Sequence, residues 1–236
     1  MDEYSICGRD LSSIKMFGNY IGYETTSPEQ VLERCTDAEI VISNKVVLDA
    51  AIIAALPKLR LICVAATGMN NIDLNAAAEH GVEVCNAVGY STYSVAETTL
   101  CSALSLLREV TYYDNYFKSG EYSKSERIFN FDRPTAQLRG KRWGIIGMGN
   151  IGREVARLAE AFGCEVAYYS TSGVERDEVY NKLSLNELLN SSDIISIHCP
   201  LNERTHNLIG AEELDNDNDG DNNEYDYDYD DYDNYD

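Results

Sequence analysis

Gly147-Met148-Gly149-Asn150-Ile151-Gly152 is a glycine-rich hexapeptide whose spacing suits the binding of a diphosphate. The apolar run Trp143-Gly144-Ile145-Ile146 precedes it, and a helical pattern from Arg153 to Phe162 follows. In a strand, turn and helix of this kind, Gly147 makes the tight turn and Gly149 lets the backbone approach a pyrophosphate. Gly152 lets helix and strand pack closely. The helix start then presents unpaired N–H groups and the positive end of its dipole to the phosphates. Other chemistry-bearing residues are sparse. The histidines are His80, His198 and His206, and no Ser/His/Asp or Cys/His triad follows from their spacing. His198, Cys199 and His206 lack the spacing and the fourth ligand of a zinc site, so no metal is expected.

Elements able to position that turn are legible from residue 39 onward. Glu39–Ser43 reads as a strand, Leu48–Leu56 as a helix closed by Pro57, and Leu59–Ala65 as a buried parallel strand. Ile72–His80 reads as a helix ended by Gly81, and Val82–Cys85 as a further strand. Residues 1–38 mix polar and aromatic residues around Gly18 and Gly22 and give no clear pattern. One long helix is expected over Ser94–Lys118, with Ser94 as cap and Glu97 at the capping-box position. Its apolar residues (Leu100, Ala103, Leu104, Leu106, Leu107) give way to Tyr112, Tyr113, Tyr116 and Phe117. We read this stripe as a subunit interface, although core packing accounts for it almost as well.

A second α/β unit begins at Lys141, with strands Trp143–Gly147, Glu165–Tyr169 and Asp193–His198 and helices starting near Asn150, Leu185 and Gly210. The fold class is therefore α/β with parallel sheets: a flavodoxin-like unit over 1–93, a helix and connection over 94–139, and an incomplete Rossmann unit over 140–214. With three strands in the order 3-2-1, the Trp143 strand would lie at an exposed edge, which predicts poor solubility or a compensating oligomer.

The formal net charge of −21 is concentrated at one end. Eleven acidic residues and no basic ones fall within 215–236, leaving −10 for the rest. That disfavours nucleic-acid binding through a basic surface. The Asp/Asn/Tyr tail is expected to be disordered, since it holds little apolar surface and repels itself; the abrupt switch at Asp215 also fits a change of reading frame. No apolar run is long enough to span a membrane, and Asp2 and Glu3 do not suit a signal peptide. Seven scattered cysteines without a C-x-x-C read as core thiols in a reducing compartment, so a cytoplasmic protein is expected.

Beyond the glycine turn, Ala65-Ala66-Thr67-Gly68-Met69-Asn70-Asn71-Ile72-Asp73-Leu74, Ser94-Val95-Ala96-Glu97-Thr98-Thr99 and Leu138 to Gly152 share an order of motifs with Ser192-Asp193-Ile194-Ile195-Ser196-Ile197-His198-Cys199-Pro200-Leu201-Asn202-Glu203-Arg204-Thr205 and Asn207-Leu208-Ile209-Gly210. Over about 39–214 the chain resembles the D-2-hydroxyacid dehydrogenases, with the glycerate, hydroxypyruvate and glyoxylate reductases nearest. The resemblance implies hydride transfer between NAD or NADP and a small 2-hydroxy or 2-keto acid. It makes 1–93 the substrate domain, 140–214 the cofactor domain, and the helix from Ser94 a homodimer contact. It implies that Thr67 and Gly68 hold the substrate carboxylate, and that Thr99 touches the cofactor. Gly147, Met148, Gly149, Asn150, Ile151 and Gly152 would form the pyrophosphate turn, while Cys199, Pro200 and Thr205 wall the adenine. A turn or capping role alone would also explain Thr67, Thr99 and Thr205.

Two departures from the family pattern stand out. Where an acidic residue would bind the ribose 2′-OH, this chain has Tyr169-Ser170-Thr171-Ser172-Gly173. Ser170, Thr171 and Arg176 could then receive a 2′-phosphate, which makes NADP tolerable without excluding NAD. The family's arginine, glutamate and histidine have no matching positions, since the pattern stops after Leu214; no catalytic residue is assigned, and the 236-residue chain is expected to be inactive. The other possibility is a non-enzymatic dinucleotide-binding or dimerising module with an acidic binding tail.

Overall fold

A computed structural model of the protein describes residues 1–6, 12–174 and 179–215. Cys7, Arg176 and the tail beyond Asp215 lie outside the described residues. The chain forms two compact units, Met1–Val95 with Pro200–Glu203, and Ala96–Cys199 with the chain from Arg204 onward.

In the first unit three parallel strands, β1 (Ile40–Ser43), β2 (Leu61–Val64) and β3 (Glu83–Asn86), lie side by side in chain order. Alternate residues turn inward, so Val41, Ile62 and Val64 are buried with Leu48, Ile53, Ile72 and Ala77. Each connecting helix starts where an aspartate can accept from the first turn. Asp49 accepts from the Ile52 amide ahead of α2 (Ala50–Ala54), and Asp73 from the Ala76 amide ahead of α3 (Leu74–Glu79). Both helices are shorter than expected, because Leu48 and Ile72 leave the helical pattern to bridge each other as extended residues. The unread N-terminal stretch contains α1 (Pro28–Cys35), whose Gln30 side chain accepts from the Ser27 amide, a capping arrangement visible in Ser27-Pro28-Glu29-Gln30.

The expected single helix from Ser94 is two. Helix α4 (Thr92–Leu107) starts two residues early, placing Ser94 inside the first turn, and α5 (Val110–Lys118) follows a break at Glu109, whose φ of 49° is left-handed. A non-glycine residue in that conformation interrupts the helix, while the apolar spacing runs on across the break. A short helix α6 (Glu121–Lys124) packs its Tyr122 against Tyr116 and Phe117.

The second unit's sheet runs β6-β5-β4-β7, all parallel, from β4 (Arg142–Ile146), β5 (Glu165–Tyr169), β6 (Asn181–Lys182) and β7 (Ile194–Ile197). This corrects the expected 3-2-1 order. β7 pairs with the opposite side of β4 from β5, while the two-residue β6, too short to show an alternation, takes the outer place beside β5. The Trp143 strand is thus interior, and the solubility penalty expected from it as an edge has no basis. Helices α7 (Asn150–Ala161) and α8 (Leu185–Ser191) follow β4 and β6; α8 opens with Ser184 and Glu187 satisfying each other's amides, and α9 (Ala211–Asp215) closes the described chain. No helix among the described residues is long and apolar enough to cross a membrane.

Trp143, the sole tryptophan, is buried in β4 and its indole N–H donates to the Ser196 hydroxyl of β7 at 2.8 Å. Ser196→Ala strands that donor in the interior, which costs about 1–3 kcal/mol. Urea unfolding followed by Trp143 fluorescence should show the midpoint falling accordingly, and an unchanged midpoint would refute the buried pairing.

Candidate nucleotide-binding site

Strand β4 ends in the glycine turn, and side-chain volume explains why glycine stands there. Gly147 has φ 99°, and a Cβ on it would lie 2.7 Å from the Cys199 amide nitrogen. A Cβ on Gly152 would run into the Gly147 carbonyl oxygen. Helix α7 therefore starts directly against the end of β4. Gly149, by contrast, meets nothing within 4 Å of its would-be Cβ and is exposed, so its missing side chain leaves open space. Gly149 is the N-cap in an extended conformation, with no side chain capping the helix. The first-turn amides, those of Asn150 and Ile151 included, are left for an outside acceptor, and the dipole end they form favours an anion. An uncapped helix start beside a glycine without side-chain neighbours fits a dinucleotide diphosphate. Met148 points the other way: its side chain is buried with Trp143 and Val155, so only its main chain is available to a ligand.

Around this turn the structure gathers some of the expected residues and separates others. Cys199 is half-buried over Gly147, and Thr205 is buried in the same unit. Pro200 falls with Leu201–Glu203 in the first unit, so the adenine-walling trio is divided between units. Thr99 is half-buried on α4. In the first unit Thr67 and Gly68 are exposed in the loop after β2; the Thr67 hydroxyl donates to the Ala87 carbonyl and its own carbonyl accepts from Asn86 Nδ2. The hydroxyl thus ties two strand-end loops together, and among the described residues the Thr67 and Gly68 amides engage no backbone carbonyl. Exposed amides in a Gly-bearing turn are suited to an anionic group.

A cavity of about 500 Å³ opens at the ends of β5 and β6. Ser170 and Thr171, which the sequence singled out, line it together with Tyr169, Ser172 and Gly173; Lys182, Leu183, Ser184 and Arg204, which it did not, complete the lining. They come from the short strand β6 and from a loop distant in sequence. The only sequence signal was a lysine some thirty residues past the glycines.

Of the histidines, His80 ends α3 with Nδ1 at 2.9 Å from the Ala76 carbonyl, a helix-end role. His198 continues β7 by donating its amide to the Ile146 carbonyl, while its Nε2 is buried with no partner among the described residues. Burial pushes its pKa below the ordinary 6.5, since the charged ring is disfavoured there. No group of three metal-ligating side chains occurs among the described residues.

Residues 100–220 match the family model described as D-isomer specific 2-hydroxyacid dehydrogenase, NAD binding domain. The chain is 40% identical to a putative 2-hydroxyacid dehydrogenase of Haemophilus influenzae, over 81% of this chain and 61% of that protein. It is 32% identical to a hydroxypyruvate reductase of Blautia hydrogenotrophica, over 91% of this chain and 69% of that one. An acyclic imino acid reductase solved with NADPH and D-Arg superposes with a TM-score of 0.75 at 26% identity, covering 83% of this chain and 62% of the other. The chain thus spans about three fifths to two thirds of the length of these relatives. The cofactor class that follows is NAD or NADP.

Two outcomes test this site. Gly149→Ala should cost only about 0.5–1 kcal/mol of stability yet weaken dinucleotide binding, whereas Gly152→Ala should destabilise by about 1–3 kcal/mol; denaturation and titration calorimetry separate the two effects. The lowered His198 pKa means the unfolded chain binds a proton more readily than the folded one. Its contribution is therefore complete above 6.5 and is lost as pH falls below that value. His198→Asn should flatten that part of the stability–pH curve.

Proposed function

Because the chain belongs to the D-isomer specific 2-hydroxyacid dehydrogenase family, we propose that it serves the NAD(P)-dependent interconversion of a small 2-hydroxy acid and its 2-keto acid, of the glycerate–hydroxypyruvate or glycolate–glyoxylate kind. The observation that carries this reading is the uncapped start of α7 behind a turn that tolerates no side chain at Gly147 or Gly152. The dinucleotide supplies the hydride when bound. The α7 amides bear its diphosphate, and Thr99, Cys199 and Thr205 of the same unit contact the remainder. Thr67 and Gly68 hold the substrate carboxylate on their amides. The working division is a substrate domain over 1–93, a helical connection over 94–139 and a cofactor domain over 140–214.

The family's arginine, glutamate and histidine have no counterparts at matching positions of these 236 residues. General acid catalysis contributes about 10²–10⁴-fold, so within that family reaction these 236 residues by themselves account for the cofactor-binding part, and we expect negligible turnover from them alone. The non-enzymatic module gains nothing from the likenesses above. Exposed apolar residues on and after α4, among them Leu106, Phe117, Phe129 and Phe131, support a homodimer through this region. Free thiols throughout the described residues support a reducing, cytoplasmic setting.

Titrating the chain with NADH and NADPH should give saturable binding by nicotinamide fluorescence. Adding hydroxypyruvate or glyoxylate should produce no oxidation above the protein-free rate. Binding of neither dinucleotide sinks the proposal, and clear reduction sinks its inactive part. Light scattering should give twice the 26.4 kDa chain mass, falling towards one chain when Phe129 and Phe131 become serine.

A further inference from the structure

We propose that this chain selects the 2′-phosphorylated dinucleotide, NADPH over NADH, and that Lys182 and Arg204 make the choice. The inference rests on the dinucleotide reading above and names which form the site takes. The cavity at the ends of β5 and β6 lies where the second strand of a dinucleotide fold meets the adenosine ribose. Its described lining holds two cations, Lys182 and Arg204, three serines and a threonine, and no carboxylate. A carboxylate there accepts from the ribose 2′-OH and repels a phosphate; hydroxyls and cations do the reverse.

The environment of Lys182 sharpens the point. Elsewhere in this strongly acidic chain, Lys58, Lys118 and Lys141 lie 2.6–2.9 Å from the carboxylates of Asp37, Asp114 and Asp193. Lys182 Nζ instead donates to the Gly173 carbonyl at 2.8 Å, a neutral acceptor that uses one of its three donors. That bond lays the ammonium across the Ser170–Gly173 turn. Ser170 is itself fixed by donating to the Val174 carbonyl at 2.6 Å, so the turn is braced from both sides. The nearby Glu187 carboxylate is engaged by the Ser184 amide and hydroxyl and does not line the cavity. A dianionic phosphate entering here meets the positive charge of Lys182 and Arg204 beside the hydroxyls of Thr171 and Ser172.

Calorimetric titration of the 236-residue protein with NADPH, NADH and 2′,5′-ADP tests the assignment. NADPH should bind at least about tenfold more tightly than NADH, as one charge-assisted contact of this kind warrants. Lys182→Ala and Arg204→Ala should each shrink the NADPH-to-NADH ratio several-fold, Lys182→Glu should reverse it, and Lys182→Arg should keep it. Raising KCl from about 0.05 to about 0.5 M should narrow the wild-type gap by screening, and 2′,5′-ADP should compete with NADPH. Equal or tighter binding of NADH, or a Lys182→Glu variant with the wild-type ratio, overturns this proposal and leaves the dinucleotide reading standing. Binding of neither dinucleotide removes the reading and the proposal together.

Discussion

The second unit depends on one close approach: helix α7 begins against the carbonyl of Gly147, and only a hydrogen at Gly152 fits between them. A methyl group there would push the helix away from β4, lifting Val155, Ala156 and Ala159 out of the core they share with Trp143 and Ile145. The same approach aims the uncapped amides along the end of the strand. Packing and anion binding are therefore one geometric fact seen from two sides. A third backbone segment joins them, because Cys199 crosses close over Gly147 and fills the space a side chain would need.

How much could be read beforehand depended on whether the cause was local. β5 falls at Glu165–Tyr169, where its short apolar run after Glu165 puts it, and α8 starts at Leu185 behind the Ser184 cap. Those signals lie within a few residues. Strand order does not, since it depends on which edge of β4 each later strand pairs with. Nothing within Asp193–His198 states which side it will take. The break at Glu109 escaped for a related reason: an acidic residue in the left-handed region is an outcome of how α4 and α5 settle, and the helical apolar spacing runs through it undisturbed.

The candidate site divides the same way. Its glycines were legible as a spaced motif, although only Gly152, against Gly147, is required by a contact a few residues distant; Gly147 is crowded by Cys199, far along the chain, and Gly149 by nothing. Ser170 and Thr171, which line the cavity, were singled out by counting along the chain from that turn. Lys182 and Arg204 were not, because only the fold carries a residue from the two-residue β6 and another from the loop after β7 to one cavity. Met148 lies inside the motif with its side chain in the core, which leaves its main chain alone to face a ligand.

The sheet of the second unit has two unlike rims. On one, β6 offers just two residues, one of them a lysine whose charge resists the arrival of a neighbouring strand. On the other, β7 presents four residues with Ile197 54% exposed, and its outer side has no strand partner among the described residues. Lateral growth of this sheet is therefore directional: further backbone can join it along β7 far more readily than along β6, and the interior β4 stays shielded whichever chain supplies it.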